Sequence, residues 1–303
     1  MSSPKIQISV VIPFYNGNAY LPRLLSSISA VEAKMCKHAD FEIIMVNDSP
    51  TVDILIPNEY QYKKITILQN DTNQGIQKTR IHGMDCAAGE WIIFLDQDDE
   101  LIPDGFQEQV ALTQDADVVV GNGIYQIAGR SELVFASLSE MRHLIQRKKF
   151  IQIRNLIPSP GQCMIRKQAI PEEWKNSPLQ CNGADDWMLW ILLFCKDSRF
   201  RCNVRQVYIH HDSGNANLSL DLGKMRSSSL EMCSYLSNHL TGREMQNLHD
   251  AINFKYDQDT HQLTIKKLVK YRKTVGYNIA YKIIREIARR SHLAQESTRR
   301  YER

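Results

Sequence analysis

Residues 73–99 read NQGIQKTRIHGMDCAAGEWIIFLDQDD. The first half, GIQKTRIHGMDCAAG, predicts a helix closed by Gly89, and EWIIFLD predicts a buried strand. Straight after that strand stand three carboxylates, Asp96, Asp98 and Asp99. Asp often ends a strand and opens a turn, but a turn needs one such residue and not three. Like charges packed this closely repel unless a positive group is held among them. The stretch therefore predicts a core strand whose exposed end binds something cationic.

Working outward, the same alternation runs from residue 6 to about 127. IQISVVIPF, FEIIMVND, KITILQN and DVVVGNGIYQI read as strands, while AYLPRLLSSISAVEAKM and DGFQEQVALTQ carry apolar residues at helical spacing. Continuous apolar strands alternating with helices predict an α/β fold with a mostly parallel sheet covered on both faces. Ligands of such sheets bind outside the carboxyl ends of the strands. Asn16, Asn47–Asp48 and Asp96–Asp99 all fall at such ends, so they are expected on one rim. Beyond residue 130, SLSEMRHLIQRKKFIQIRNL reads as helical and basic. PSPGQCMIRKQAI returns a strand, NGADDWMLWILLFC opens a buried helix, and RFRCNVRQVYIHH is a last strand. From Leu220 the chain reads as helical, with NFKYDQDTHQ (253–262) expected as a linker.

Composition limits the function classes. In 303 residues, 43% hydrophobic and 23% charged content is that of a globular protein with a real core. The net charge of +3 does not by itself call for nucleic acid, and no nucleic-acid partner is expected. That charge is uneven: Thr264–Arg303 holds 12 Lys/Arg against 3 Asp/Glu, a local +9. Seven scattered cysteines without a C-x-x-C pair read as reduced thiols. The start, MSSPKIQISV, lacks the pattern of a signal peptide, and the longest apolar run, Trp187–Cys195, is short of the ~20 residues of a membrane span. These features imply a cytoplasmic protein.

Clustered hard oxygen ligands call for Mg²⁺ or Mn²⁺, which bind one or two carboxylates and complete their shell with water and substrate phosphates. The Ca²⁺-loop pattern fails at DQDDE, and neither a P-loop nor a G-x-G-x-x-G occurs. Against this background VVIPFYNG (10–17), MVNDSP (45–50), residues 73–99 and GADDWMLW (183–190) together resemble the family 2 glycosyltransferases of GT-A fold. The resemblance covers roughly residues 6–220. It implies a Rossmann-like sheet flanked by helices, with a catalytic domain at 1–220 and a helical, basic C-terminal extension at 221–303. The nucleotide-binding half would be about 1–127 and the acceptor half about 128–220.

Carried over by position, the resemblance implies that Pro13, Tyr15 and Asn16 lie at the nucleotide base and that Asp48 accepts a hydrogen bond from it. Gly75 and Arg80 would flank the ribose and diphosphate. Asp96 and Asp98 would form the D-x-D element, Asp98 on the metal. His211, followed by Ser219, resembles a late metal or diphosphate ligand. The catalytic base would be Asp186 or its neighbour Asp185, with Trp187 either in the core or on the acceptor side. The implied activity is metal-dependent inverting transfer from a nucleotide-diphosphate sugar, UDP-sugars favoured. The acceptor would be a saccharide or lipid-linked saccharide, in cell-surface polysaccharide or glycolipid assembly.

Other readings stand beside these. Asp185 and Asp186 precede an apolar helix, where acids serve as N-caps or dipole partners. A non-catalytic sugar-nucleotide binder or scaffold subunit is the alternative function. A nucleotidyltransferase would need a Gly-rich, Lys-containing loop, which PFYNGNAYLPR does not supply. In the tail, Val275, Ile279, Ile283 and Ile287 recur at i, i+4 spacing among basic residues. That stripe is expected to pack on the catalytic domain, with peripheral membrane contact at the inner face as the other outcome.

Overall fold

The computed structural model describes residues 5–61, 63–127, 129–211 and 221–301. Ser219 lies outside the described residues. The order begins β1 (Ile6–Phe14), α1 (Leu21–Met35), β2 (Ala39–Asn47), β3 (Ile65–Gln69), α2 (Ile76–Cys86) and β4 (Trp91–Phe94). It continues with β5 (Glu100–Leu101), α3 (Phe106–Ala111), β6 (Val118–Ile127), β7 (Arg130–Leu133), α4 (Leu138–Leu144) and α5 (Arg147–Gln152). Then come β8 (Cys163–Arg166), α6 (Glu172–Asn176), α7 (Asp185–Cys195) and β9 (Phe200–His211). The helices α8 (Leu222–Leu236), α9 (Gly242–Asp259), α10 (Ile265–Lys270) and α11 (Arg272–Tyr301) follow.

One sheet holds these strands in the order β3-β2-β1-β4-β8-β6-β9-β5, with β7 on β6. β3, β2, β1 and β4 are mutually parallel, and β6 and β9 run the same way beyond the antiparallel β8. The period-2 alternation of β1 explains the two covered faces: Val10 and Ile12 enter a core shared with Leu24, Leu25 and Ile28 of α1. Val11 enters the other core, with Phe94 and the α7 residues Trp190 and Leu193. Helix α7 is buried nearly all round, which its unbroken apolar run demands.

Three expectations are corrected. The basic segment at 137–156 forms two short helices, broken where Gln146 is extended at φ −141°. The polar stretch at 253–262 is no linker: α9 runs through most of it, to Asp259, because Phe254 is buried against Tyr271 and Asp257 meets Lys267 at 2.7 Å. In α11 the aliphatic stripe faces outward, with Ile279, Ile283 and Ile287 54–60% exposed. The buried face carries Thr274 and Tyr281 instead, since Arg154 and Arg285 satisfy the Tyr281 hydroxyl at 2.9 and 3.2 Å. No described helix is long and apolar enough to cross a membrane.

Candidate active site

The strand ends converge as the parallel sheet requires. Pro13, Tyr15, Asn16, Asp48, Arg80, Asp96, Asp98, Asp185, Asp186 and Trp187 line a single cavity of about 940 Å³. Local structure fixes each piece. Gln97 accepts the Tyr15 N–H at 2.9 Å and donates to the Tyr15 carbonyl at 3.0 Å, tying the acidic segment to the end of β1. Both Asp48 oxygens are engaged: Oδ1 accepts from Gln74 N and Asn70 Nδ2, and Oδ2 from Gly75 N. Asp48 thus folds the loop that starts α2 while its side chain reaches the cavity wall. Gly75 sits at φ 84°, and a Cβ there would lie 2.6 Å from Asn182 Oδ1, so the loop admits no side chain at this point. Asn182 is free to accept the Ile76 N–H at 3.0 Å, joining α2 to the segment before α7.

Part of the cation demanded by the acids comes from the chain itself. Arg80, 3% exposed, donates Nη2 to Asp96 Oδ1 at 2.6 Å and Nη1 to Asp185 Oδ2 at 2.7 Å. Burial opposes its charge, but Asp96, Asp185 and Asp186 more than offset that and hold it firmly protonated. Asp99 is taken up elsewhere. It is buried under Tyr208, whose hydroxyl donates to it, and it accepts the His211 N–H at 2.9 Å and contacts His210 Nδ1 at 3.3 Å. Burial pushes its carboxyl pKa up. Asp98 is the acid left over: it faces the cavity, and its carboxylate accepts no hydrogen bond among the described residues.

The two acids at the start of α7 divide in the same way. Neither caps the helix, whose N-cap is Ala184. Asp185 is 3% exposed and committed to Arg80. Asp186 is less buried, accepts Asn155 Nδ2 at 2.8 Å and its neighbour's N–H at 2.7 Å, and opens on the cavity. Burial, then the charge of Asp185 beside it, pushes its pKa up to about 7, against the opposing pull of Arg80. Trp187 is 7% exposed with its indole N–H on the Phe150 carbonyl, so it is a core residue whose edge reaches the cavity.

The histidines exchange places relative to expectation. His211 turns its Nε2 to Glu100 at 2.6 Å, while His210 lines the cavity. Burial works against its charge, but the hydrogen bond and charge of Asp99 prevail and hold the imidazole above its ordinary pKa. The sequence reading also missed Asn155, Asn182 and Gln97, none of which carries a distinguishing pattern. It missed as well that α8 and α9 close one side of the cavity through residues such as Met225, Arg226 and Tyr256.

Among the described residues no three His, Cys, Asp or Glu side chains form a ready-made metal cluster. Asp98, unpaired among the described residues, beside Asp96, whose Oδ2 has only the distant Ser159 hydroxyl at 3.4 Å, still fits a hard cation that draws its remaining ligands from water and phosphate.

A family model described as glycosyl transferase family 2 matches residues 9–174. The amylovoran biosynthesis glycosyltransferase AmsB of Erwinia amylovora is 26% identical over 158 residues, covering 50% of this chain and 47% of that protein. Across the first of the curated relatives the chain spans only 31–47% of their length. The fold matches S. aureus TarS 1–349, solved with UDP-GlcNAc, at TM-score 0.62 and 16% identity, covering 92% of this chain and 82% of that one. It also matches the mannosyltransferase PcManGT of Pyrobaculum calidifontis, solved with GDP-Man and Mn²⁺, at TM-score 0.54 and 11% identity, covering 98% and 81%. Identities this low speak for the GT-A architecture alone.

Proposed function

Because the chain belongs to glycosyl transferase family 2, we propose that it moves a sugar from a nucleotide-diphosphate donor, a UDP-sugar in the first instance, to an acceptor hydroxyl with inversion. The observation that carries this reading is that Asp98, unpaired among the described residues, and a poised Asp186 open on one cavity. Asp186 takes the proton of the acceptor hydroxyl. The hydroxyl oxygen then attacks the anomeric carbon as the bond from that carbon to the diphosphate oxygen breaks, and the nucleoside diphosphate leaves with the electron pair. Asp185 acts through Arg80, holding it against Asp96 on the diphosphate side. Asp98 and Asp96 would hold Mn²⁺ or Mg²⁺, which when bound neutralises charge developing on the departing diphosphate. Tyr15, 49% exposed at the rim, is suited to stack on the base.

Support for a nucleotide sugar comes from the fold relatives solved with UDP-GlcNAc and GDP-Man, and AmsB suggests polysaccharide assembly as the setting. Calorimetric titration of UDP, GDP and CDP with and without Mn²⁺, repeated on Asp98→Ala, tests the donor side. One nucleotide should bind only with metal, and Asp98→Ala should weaken it at least about tenfold. Binding indifferent to both metal and Asp98 sinks the metal-dependent reading and favours the non-catalytic binder.

The outward stripe of α11 supports peripheral contact with an anionic membrane at the cytoplasmic face. Ile279, Ile283 and Ile287, with Ile265 and Val269 of α10, stand exposed among lysines and arginines. The protein should co-sediment with vesicles containing phosphatidylglycerol but not with pure phosphatidylcholine. An Ile279→Ser/Ile283→Ser/Ile287→Ser variant should remain in the supernatant. Equal partitioning of variant and parent would remove this contact.

A further inference from the structure

The cavity has cations that the donor chemistry does not use. Arg226 of α8 lines it and directs Nε and Nη2 to one amide oxygen, Asn253 Oδ1, at 3.1 and 2.7 Å, while lying 4.9 Å over the Tyr256 ring. Arg154 lines it too, with Nη2 on the Tyr281 hydroxyl at 2.9 Å and its guanidinium 4.8 Å over that ring. Neither arginine meets a carboxylate among the described residues. The neighbouring Lys255 differs, because Asp259 pairs with it. So does Arg80, whose charge is divided between Asp96 and Asp185. Arg154 and Arg226 are therefore oriented by an amide, a phenol and two ring faces, partners that fix direction while leaving the positive charge uncancelled. A guanidinium held this way is preorganised for an anion.

Their place in the fold separates them from the donor. The segment that delivers Asp186 is bonded on one side to the donor rim, through Asn182 to Ile76 and Asp185 to Arg80. On the other side it is bonded to α8: Ser228 Oγ accepts from Ala184 N at 3.0 Å and Glu231 Oε1 from Gln180 N at 2.8 Å. Arg154 directly precedes Asn155, the residue that holds Asp186. Both arginines thus belong to the base and its helical flank and not to the acids at the end of β4.

The geometry points to α8 and α9 as the wall of the acceptor subsite, and to an acceptor that carries a phosphate or carboxylate gripped by Arg226 and Arg154. This deepens the glycosyl-transfer reading and rests on it. The extension is then part of the specificity apparatus and not an appendage.

The test uses the full chain with saturating UDP and Mn²⁺, titrated with glucose 6-phosphate, glucuronate and glucose, and repeated on Arg226→Gln and Arg154→Gln. At least one anionic probe should bind better than glucose, and each variant should weaken it by about tenfold or more while the UDP affinity holds. Glucose 6-phosphate ahead of glucuronate assigns a phosphate, and the reverse order a uronic acid. Probe binding that is indifferent to charge, or unchanged in both variants, overturns the proposal. So does a loss of UDP affinity in Arg226→Gln, which would place that arginine on the donor. Using two arginines on separate segments guards against one variant misfolding. If UDP itself fails to bind the parent, repeating the titration without nucleotide still reads the anion site, so the donor reading and the acceptor proposal fail separately.

Discussion

Asp186→Asn should lower turnover by about 10²–10⁴-fold, the usual worth of a positioned general base, while leaving UDP affinity within a few-fold. Asn keeps the size of the side chain and can still meet Asn155 after an amide flip, so the loss reads on proton transfer and not on packing. The pH dependence sharpens the test. With the carboxyl held up to about 7 by burial and by Asp185, the base is protonated and idle below that value. kcat/KM should therefore rise with pH, level off above about 7, and lose this limb in the variant. Stability should run the opposite way. Between the ordinary Asp value near 4 and about 7, the folded protein keeps a proton that the unfolded chain has released, so stability falls as pH rises through that window. Asp186→Asn removes the slope, and its melting temperature relative to the parent should be higher at pH 8 than at pH 5. UDP release from a panel of UDP-sugars, with water as the slow acceptor, and thermal melts at the two pH values supply both readouts. A variant keeping most of its turnover would hand the role to Asp185 or remove the base altogether.

The parts of this site that were legible share one property: they lie on segments whose core-facing pattern is unambiguous. EWIIFLD must be a central strand, so the acids that follow it must reach the carboxyl rim, and NGADDWMLW must begin a buried helix with two acids at its mouth. What could not be read is how the charges partition. Asp96, Asp98, Asp99, Asp185 and Asp186 look alike in sequence, yet they divide into two arginine partners, a buried strap on β9, an acid with no partner among the described residues and a raised one. That division is made by Arg80, Tyr208 and Asn155, which arrive from distant elements. That His210 and not His211 faces the cavity was unreadable for a local reason. Val207 and Tyr208 are both buried, so the alternation that would phase His210 against His211 is lost just where it is needed. In the tail the Tyr281 face of α11 prevailed over the isoleucine face because two arginines were there to satisfy its hydroxyl, a tertiary fact that a helical wheel does not contain.

Arg80→Met should be the most damaging substitution for the fold, with a loss of about 3–5 kcal/mol at pH 8, the range for removing one partner of a buried ionic network. Methionine fills much of the volume, so the effect is electrostatic: Asp185, 3% exposed, would be left charged without its cation, and Asp96 without its main hydrogen-bond donor. Both acids are then stranded charges in the folded protein, and acidification relieves that cost. By linkage the deficit should shrink as the pH falls from 8 towards 5, whereas a cavity defect would be the same at both. Arg80→Lys should recover only part of the loss, because a single ammonium cannot span two carboxylates in the fork that Nη1 and Nη2 make. Arg80→Met combined with Asp185→Leu should be more stable than Arg80→Met alone, since it removes the stranded charge along with its partner. Urea denaturation of the three variants at pH 5 and pH 8 decides the matter. An Arg80→Met deficit under about 1 kcal/mol, or one that does not change with pH, would mean that the arginine between the acids is a bystander and that their charge is neutralised in some other way.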